Sequence, residues 1–102
     1  MPLLILHGAA DDWTPAAPCV DLARRFDGAA FPLRTVVYPG AHHGFDAPSA
    51  AVRMLPNVYN PGAPGGRGAH VGTHESSRRA AIEETRLFVQ SQLGRRLPAD
   101  GE

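Results

Sequence analysis

Leu3-Leu4-Ile5-Leu6-His7-Gly8-Ala9-Ala10-Asp11-Asp12-Trp13-Thr14-Pro15 is the stretch on which the fold turns. With Pro2 before it, the run over residues 2–7 is continuously apolar without alternation, and Gly8 stops it. Such a run suits a strand covered on both faces in the interior of a parallel sheet. After the polar turn at residues 8–14, a helix is expected to begin near Pro15, with Thr14 placed to cap it. Val20, Ala23 and Phe26, with Cys19 and Leu22 beside them, supply an apolar stripe at helical spacing, and Gly28 marks the exit. A second strand follows at Leu33–Tyr38, where Val36 and Val37 are β-branched, and Pro39-Gly40 ends it. Strand, helix, strand over roughly 35 residues is the size of a βαβ crossover, with parallel strands and the helix over one sheet face.

Downstream, residues 47–72 are rich in Gly and Pro and contain Asn57, Asn60 and the run Pro61-Gly62-Ala63-Pro64-Gly65-Gly66, which reads as a long irregular excursion. Residues 75–93 return to helix, with Ala81, Ile82, Thr85, Phe88, Val89 and Leu93 on one face and charged residues on the other. Gly94 reads as its C-cap, Arg95 and Arg96 suit the carbonyl end, and residues 98–102 read as a disordered tail. The fold class expected is therefore α/β, with parallel strands, a long loop and a C-terminal helix.

Composition narrows the function. The 102 residues make one domain's worth of chain, able to bury roughly two-thirds of its unfolded surface. The balance of 43% apolar and 20% charged residues is that of a globular chain rather than a fibrous or wholly disordered one. Ten basic residues, all Arg, balance ten acidic ones, so no summed positive field points to nucleic acid or an anionic membrane. The absence of Lys excludes Schiff-base lysine chemistry and the phosphate-cradling lysine of a P-loop. Cys19, the one cysteine, can form neither an intrachain disulfide nor a four-thiolate metal site, and fits a reducing, cytoplasmic setting. The run Leu3-Leu4-Ile5-Leu6 is too short for a membrane span or a signal core. Two parallel strands with two helices are also too few to cover so apolar a first strand, so an upstream segment or another chain is expected to complete the sheet.

Chemistry concentrates in two loops. Both leave the carboxyl ends of neighbouring parallel strands, the rim on which α/β active sites assemble. One carries Asp11 and Asp12, the other His42 and His43, so a carboxylate and an imidazole are expected to meet there. Loop register leaves Asp12 open beside Asp11 and His42 open beside His43.

The segments Leu6-His7-Gly8-Ala9-Ala10-Asp11-Asp12-Trp13-Thr14-Pro15 and Tyr38-Pro39-Gly40-Ala41-His42-His43-Gly44-Phe45-Asp46, taken together, resemble the carboxyl-terminal part of the α/β-hydrolases. The closest resemblance is to the dienelactone hydrolase family, and it runs from residue 2 to about 94. It implies a partial α/β-hydrolase fold over residues 1–97 and a cofactor-free carboxylic-ester or lactone hydrolase. It places Asp11 as the triad acid and His43 as the triad histidine, in the chain order of that fold. The resemblance also implies a nucleophile elbow, Gly-x-Cys-x-Gly or Gly-x-Ser-x-Gly, and residues 1–102 contain neither. The expectation is thus a hydrolase segment inactive alone, acting on a small-molecule ester or lactone. The alternative is a non-catalytic relic or a self-associating, partner-binding module. In typical members an Arg four positions past the histidine helps hold a substrate carboxylate, and here that position is Ala47 beside Asp46.

Other residues have plainer readings. Cys19 reads as a packed helical residue and Trp13 as a packing aromatic that could also line the site's entrance. His70 and His74 have the i, i+4 spacing of zinc ligands, but no Glu follows His70 and Gly72 lies between them. No metal is expected. The Arg pairs at 24–25, 78–79 and 95–96 read as solvated helix faces.

Overall fold

The structure, a computed structural model, describes residues 2–26, 28 and 30–96, the side chains only as far as residue 94. The expected tail at 98–102 lies outside the described residues. Strands β1 (Leu3–Gly8) and β2 (Leu33–Tyr38) pair in parallel, with Leu3 opposite Leu33 and Gly8 opposite Tyr38. Helix α1 (Ala17–Arg25) crosses between them, so the βαβ unit forms as its apolar runs predict. Its cap differs from expectation. The N-cap is Ala16 with no side-chain hydrogen bond, because the Thr14 hydroxyl is already committed to the Asp11 carboxylate.

The Gly- and Pro-rich stretch is not an irregular excursion. Strands β3 (Arg53–Tyr59) and β4 (Arg67–Val71) form an antiparallel hairpin, closed by a turn of 3-10 helix at Pro64–Gly66. Only parallel strands were expected, and the second sheet makes the molecule mixed, with one parallel and one antiparallel pair. The register of the hairpin shifts between Leu55 and Tyr59, where Pro56 has no N–H to give the ladder.

Helix α2 (Glu75–Arg96) begins where its pattern predicts but runs through Gly94. A helical Gly costs only about 1 kcal/mol, too little to end a helix by itself, so the expected C-cap at Gly94 is not one. Period-two alternation puts Leu6, Val36 and Tyr38 on the sheet face that meets α2, where they pack with Ala41, Phe45 and the buried Ala81. Glu84 of α2 pairs with Arg34 on that face of β2. Helix α1 lies over β2.

Coverage stops there. The radius of gyration is 16.5 Å, against about 13 Å for a compact chain of this length. Of the face expected on α2, Ala81 is buried while Ile82 is 55% and Leu93 52% exposed. Among the described residues, β1 has β2 on one edge and nothing on the other.

Candidate active site

The loops leaving β1 and β2 are stitched together before either side chain is placed. The Ala9 N–H donates to the Tyr38 carbonyl at 2.9 Å and the Ala10 N–H to the Ala41 carbonyl at 2.9 Å. This closeness requires glycine at position 8, since a Cβ there would stand 2.3 Å from the Ala41 carbonyl oxygen. Asp11 then folds its own turn. Its Oδ1 accepts the Trp13 N–H at 2.9 Å and the Thr14 N–H at 2.8 Å, and its Oδ2 accepts the Thr14 hydroxyl at 3.0 Å. This is an Asx turn with an added hydroxyl, the local geometry that short carboxylates favour after a strand.

From the neighbouring loop, His43 brings Nδ1 to 3.2 Å from Asp11 Oδ2 and 3.2 Å from the Thr14 hydroxyl oxygen. A carboxylate only accepts, so Nδ1 carries the hydrogen and the neutral ring leaves the Nε2 lone pair free. Among the described residues Nε2 makes no hydrogen bond. The Trp13 ring packs on the imidazole with centroids 4.9 Å apart. The Asp11 side chain is 6% exposed. Burial works against its charged form, but the Thr14 and Trp13 N–H groups, the Thr14 hydroxyl and His43 outweigh it, and the carboxyl titrates below its ordinary value.

A second imidazole stands nearby. His7 donates from Nε2 to the Thr14 carbonyl at 2.6 Å and lies 3.5 Å from Asp11 Oδ2, bracing the turn from the strand side. Asp11, His43 and His7 line a cavity of about 580 Å³ whose far wall is α2, through Arg78, Ala81 and Ile82. Arg78 has a buried Nε without a hydrogen-bond partner in this wall.

The two aspartates and the two histidines of these loops make different contacts. Asp11 meets His43, whereas Asp12 turns away to the hairpin, accepting His70 Nδ1–H at 2.6 Å and the His70 backbone N–H at 2.9 Å. Burial opposes the Asp12 charge, but these two bonds hold its carboxyl below the ordinary value. His42 stacks on His70, with centroids 5.5 Å apart, and does not reach an aspartate. His70 and His74 do not share a helix: His70 is in β4, and His74 precedes α2 with Nδ1 2.6 Å from the Ser77 hydroxyl. Among the described residues no group of three or more His, Cys, Asp or Glu side chains is arranged to hold a metal ion. Cys19 is half-buried on α1 and is not part of the cavity wall.

Thr14 and His7, which touch Asp11, were missed as site residues, and so was Asn60, which donates to the Asp12 carbonyl at 2.8 Å from outside the cavity wall. A reader of the sequence could have suspected Thr14, since Asp-x-x-Thr is a familiar Asx-turn spacing. His7 reaches Thr14 and Asp11 only seven and four residues on, but no turn spacing marks it, and Asn60 meets the acid's loop through Asp12, 48 residues away.

A parallel strand pair whose carboxyl ends bring a carboxylate and an imidazole into hydrogen-bond contact is an arrangement of the α/β class. The chain belongs to the dienelactone hydrolase family, whose model matches residues 1–90. No curated protein and no solved structure matches it. Among the described residues no helix is long and apolar enough to cross a membrane.

Proposed function

We propose that this chain supplies the acid and the base of a carboxylic-ester or lactone hydrolase, and that the nucleophile reaches them from outside residues 1–102. The 3.2 Å contact between His43 Nδ1 and Asp11 Oδ2, on the wall of a cavity, carries this reading. In the reaction, His43 Nε2 takes the proton of the attacking hydroxyl or thiol as the acyl bond forms, then returns it to the departing alkoxide. Asp11 stays ionised, holds the Nδ1–H tautomer and stabilises the imidazolium between the two transfers. Water repeats the cycle on the acyl-enzyme and releases the acid.

The sequence has no elbow to furnish the nucleophile or the backbone N–H of an oxyanion hole. The open edge of β1 and the exposed Ile82 offer a place for the strand that would bring them. The uncharged Ala47 leaves the substrate class as neutral ester or lactone. The test is to express the chain alone and together with a family segment bearing the elbow, then follow hydrolysis of an activated ester. Turnover only in the mixture, lost in His43→Ala, is expected. Turnover by the chain alone, abolished by the same substitution, contradicts the missing nucleophile.

The open edge also favours a second reading, a non-catalytic module that pairs β1 with a copy of itself or with a partner strand. Light scattering separates the two, since a monodisperse monomer at high concentration argues against strand pairing between copies.

A further inference from the structure

Asn60 is the largest fully buried side chain among the described residues, at 2% exposure, and it is polar. Its two amide hydrogens go to different parts of the chain. One reaches the Gly68 carbonyl at 2.8 Å, inside the hairpin, and the other the Asp12 carbonyl at 2.8 Å, in the loop that carries the acid. Its Oδ1 accepts the Gly62 N–H at 3.3 Å. The bonds to Gly62 and Gly68 suffice to shape the hairpin's turn. The bond to Asp12 is one the hairpin does not need, and a buried amide hydrogen left without it would be costly.

Around Asn60, the polar groups of the acid's loop are turned onto the hairpin. The Trp13 indole N–H donates to the Tyr59 carbonyl at 2.9 Å, and His70 holds the Asp12 carboxylate. The exit of the hairpin holds the histidine loop as well: His43 bridges to Val71, and the Gly72 N–H donates to the His43 carbonyl at 3.2 Å. One hairpin therefore grips both halves of the acid–base pair, and Trp13, tethered to it, packs on the His43 ring.

We propose that Asn60 is a positioning residue for the Asp11–His43 pair, its buried carboxamide pinning the hairpin to the acid's loop so that the His43 ring stays in register with Asp11. This deepens the reading of that pair as acid and base, and rests on it.

Asn60→Asp is the isosteric test, because it sets a carboxylate oxygen against the Asp12 and Gly68 carbonyls in place of two donors. The readout is the ring nitrogen-15 spectrum of His43 in the full chain, at a pH where imidazoles are neutral, assigned by difference against His43→Ala. Amide dispersion identifies the folded fraction. In the natural sequence the Nδ1–H tautomer is expected to dominate. In folded Asn60→Asp the ratio of Nδ1–H to Nε2–H is expected to fall about fivefold, the population equivalent of one ordinary hydrogen bond. A residue that only stabilises the hairpin would lower the melting temperature and leave this ratio alone. If Asn60→Asp does not fold, Asn60→Ser, whose single hydroxyl can serve one of the two carbonyls, is read the same way. An unchanged ratio in a folded variant, with Nδ1–H dominant in the natural chain, overturns the role of Asn60 alone. Absence of the Nδ1–H form from the natural chain overturns the acid–base reading beneath it.

Discussion

Asp11→Asn separates the two tasks of that carboxylate. Oδ1 takes two backbone N–H groups, at 2.9 and 2.8 Å, and an Asn carbonyl oxygen can take both, so the turn survives. Oδ2 takes the Thr14 hydroxyl and His43 Nδ1–H, at 3.0 and 3.2 Å, and an NH2 group now stands in its place. The hydroxyl can rotate and accept. The imidazole must instead move its hydrogen to Nε2 and accept at Nδ1. The cost to folding is one charge-assisted hydrogen bond, about 1.5 kcal/mol at the low end because His43 is partly open to solvent, less what the reversed bond restores. A loss near 1 kcal/mol in denaturant unfolding is expected. Chemistry suffers far more, since Nε2 no longer offers a lone pair, and the corresponding change in a serine protease lowers kcat about 10⁴-fold. The assay is hydrolysis of an activated ester by the chain combined with an elbow-bearing segment. Activity within tenfold of the natural sequence, in a folded assembly, would refute the assignment of Asp11 as the group that sets the tautomer.

Gly8→Ala places a methyl 2.3 Å from the Ala41 carbonyl oxygen, a backbone atom that cannot swing aside. A loss of about 1–3 kcal/mol is expected in thermal unfolding, and an unchanged melting temperature would mean the two loops are not in contact. Ile82→Glu alters a side chain that is 55% exposed but lies on the cavity wall. It should change the stability of the isolated chain by less than about 0.5 kcal/mol while abolishing complementation by an elbow-bearing segment, and equal complementation would show that α2 meets nothing there. Acid should loosen the site in a defined window. Asp11 and Asp12 both titrate below the ordinary value of 3.8, so their contribution is present above that value and is lost as the pH falls below it through their folded values. Near-ultraviolet circular dichroism of Trp13 reports the change, and a signal already lost between pH 7 and 5 would contradict it.

The parts of this fold written in contiguous residues were legible in advance. The apolar run before Gly8, the β-branched pair Val36 and Val37, and the long amphipathic pattern after Glu75 each encode one element through local spacing. Because βαβ connections are parallel, the run of Asp11 and the run of His43 were bound to leave the same rim. The hairpin was not legible. Residues 53–59 carry Met54, Leu55, Val58 and Tyr59 broken by Pro56-Asn57, and the glycines around β4 dilute any period-two signal. What holds it is a bulge at Pro56, glycines at positive φ near the turn, and the Asn60 carboxamide, whose partners are 8 and 48 residues away. The partner of Asp12 was closed to local reading for the same reason, since it is His70, 58 residues away.

The burial pattern and the chemistry point the same way. A strand as apolar as β1 should be inside a sheet, yet Leu3 is 40% exposed and, among the described residues, one edge of the strand is bare. The half-covered side of α2 continues this surface through Ile82, and the cavity with Asp11 and His43 opens between the two. An element laid along β1 and over Ile82 would therefore do two things at once. It would bury apolar surface, at about 25 cal/mol per Å², and it would end its strand at the rim where His43 Nε2 is free. Folding gain and catalytic completion are then the same event, which is why Ile82→Glu is expected to remove complementation even though Ile82 plays no part in proton transfer.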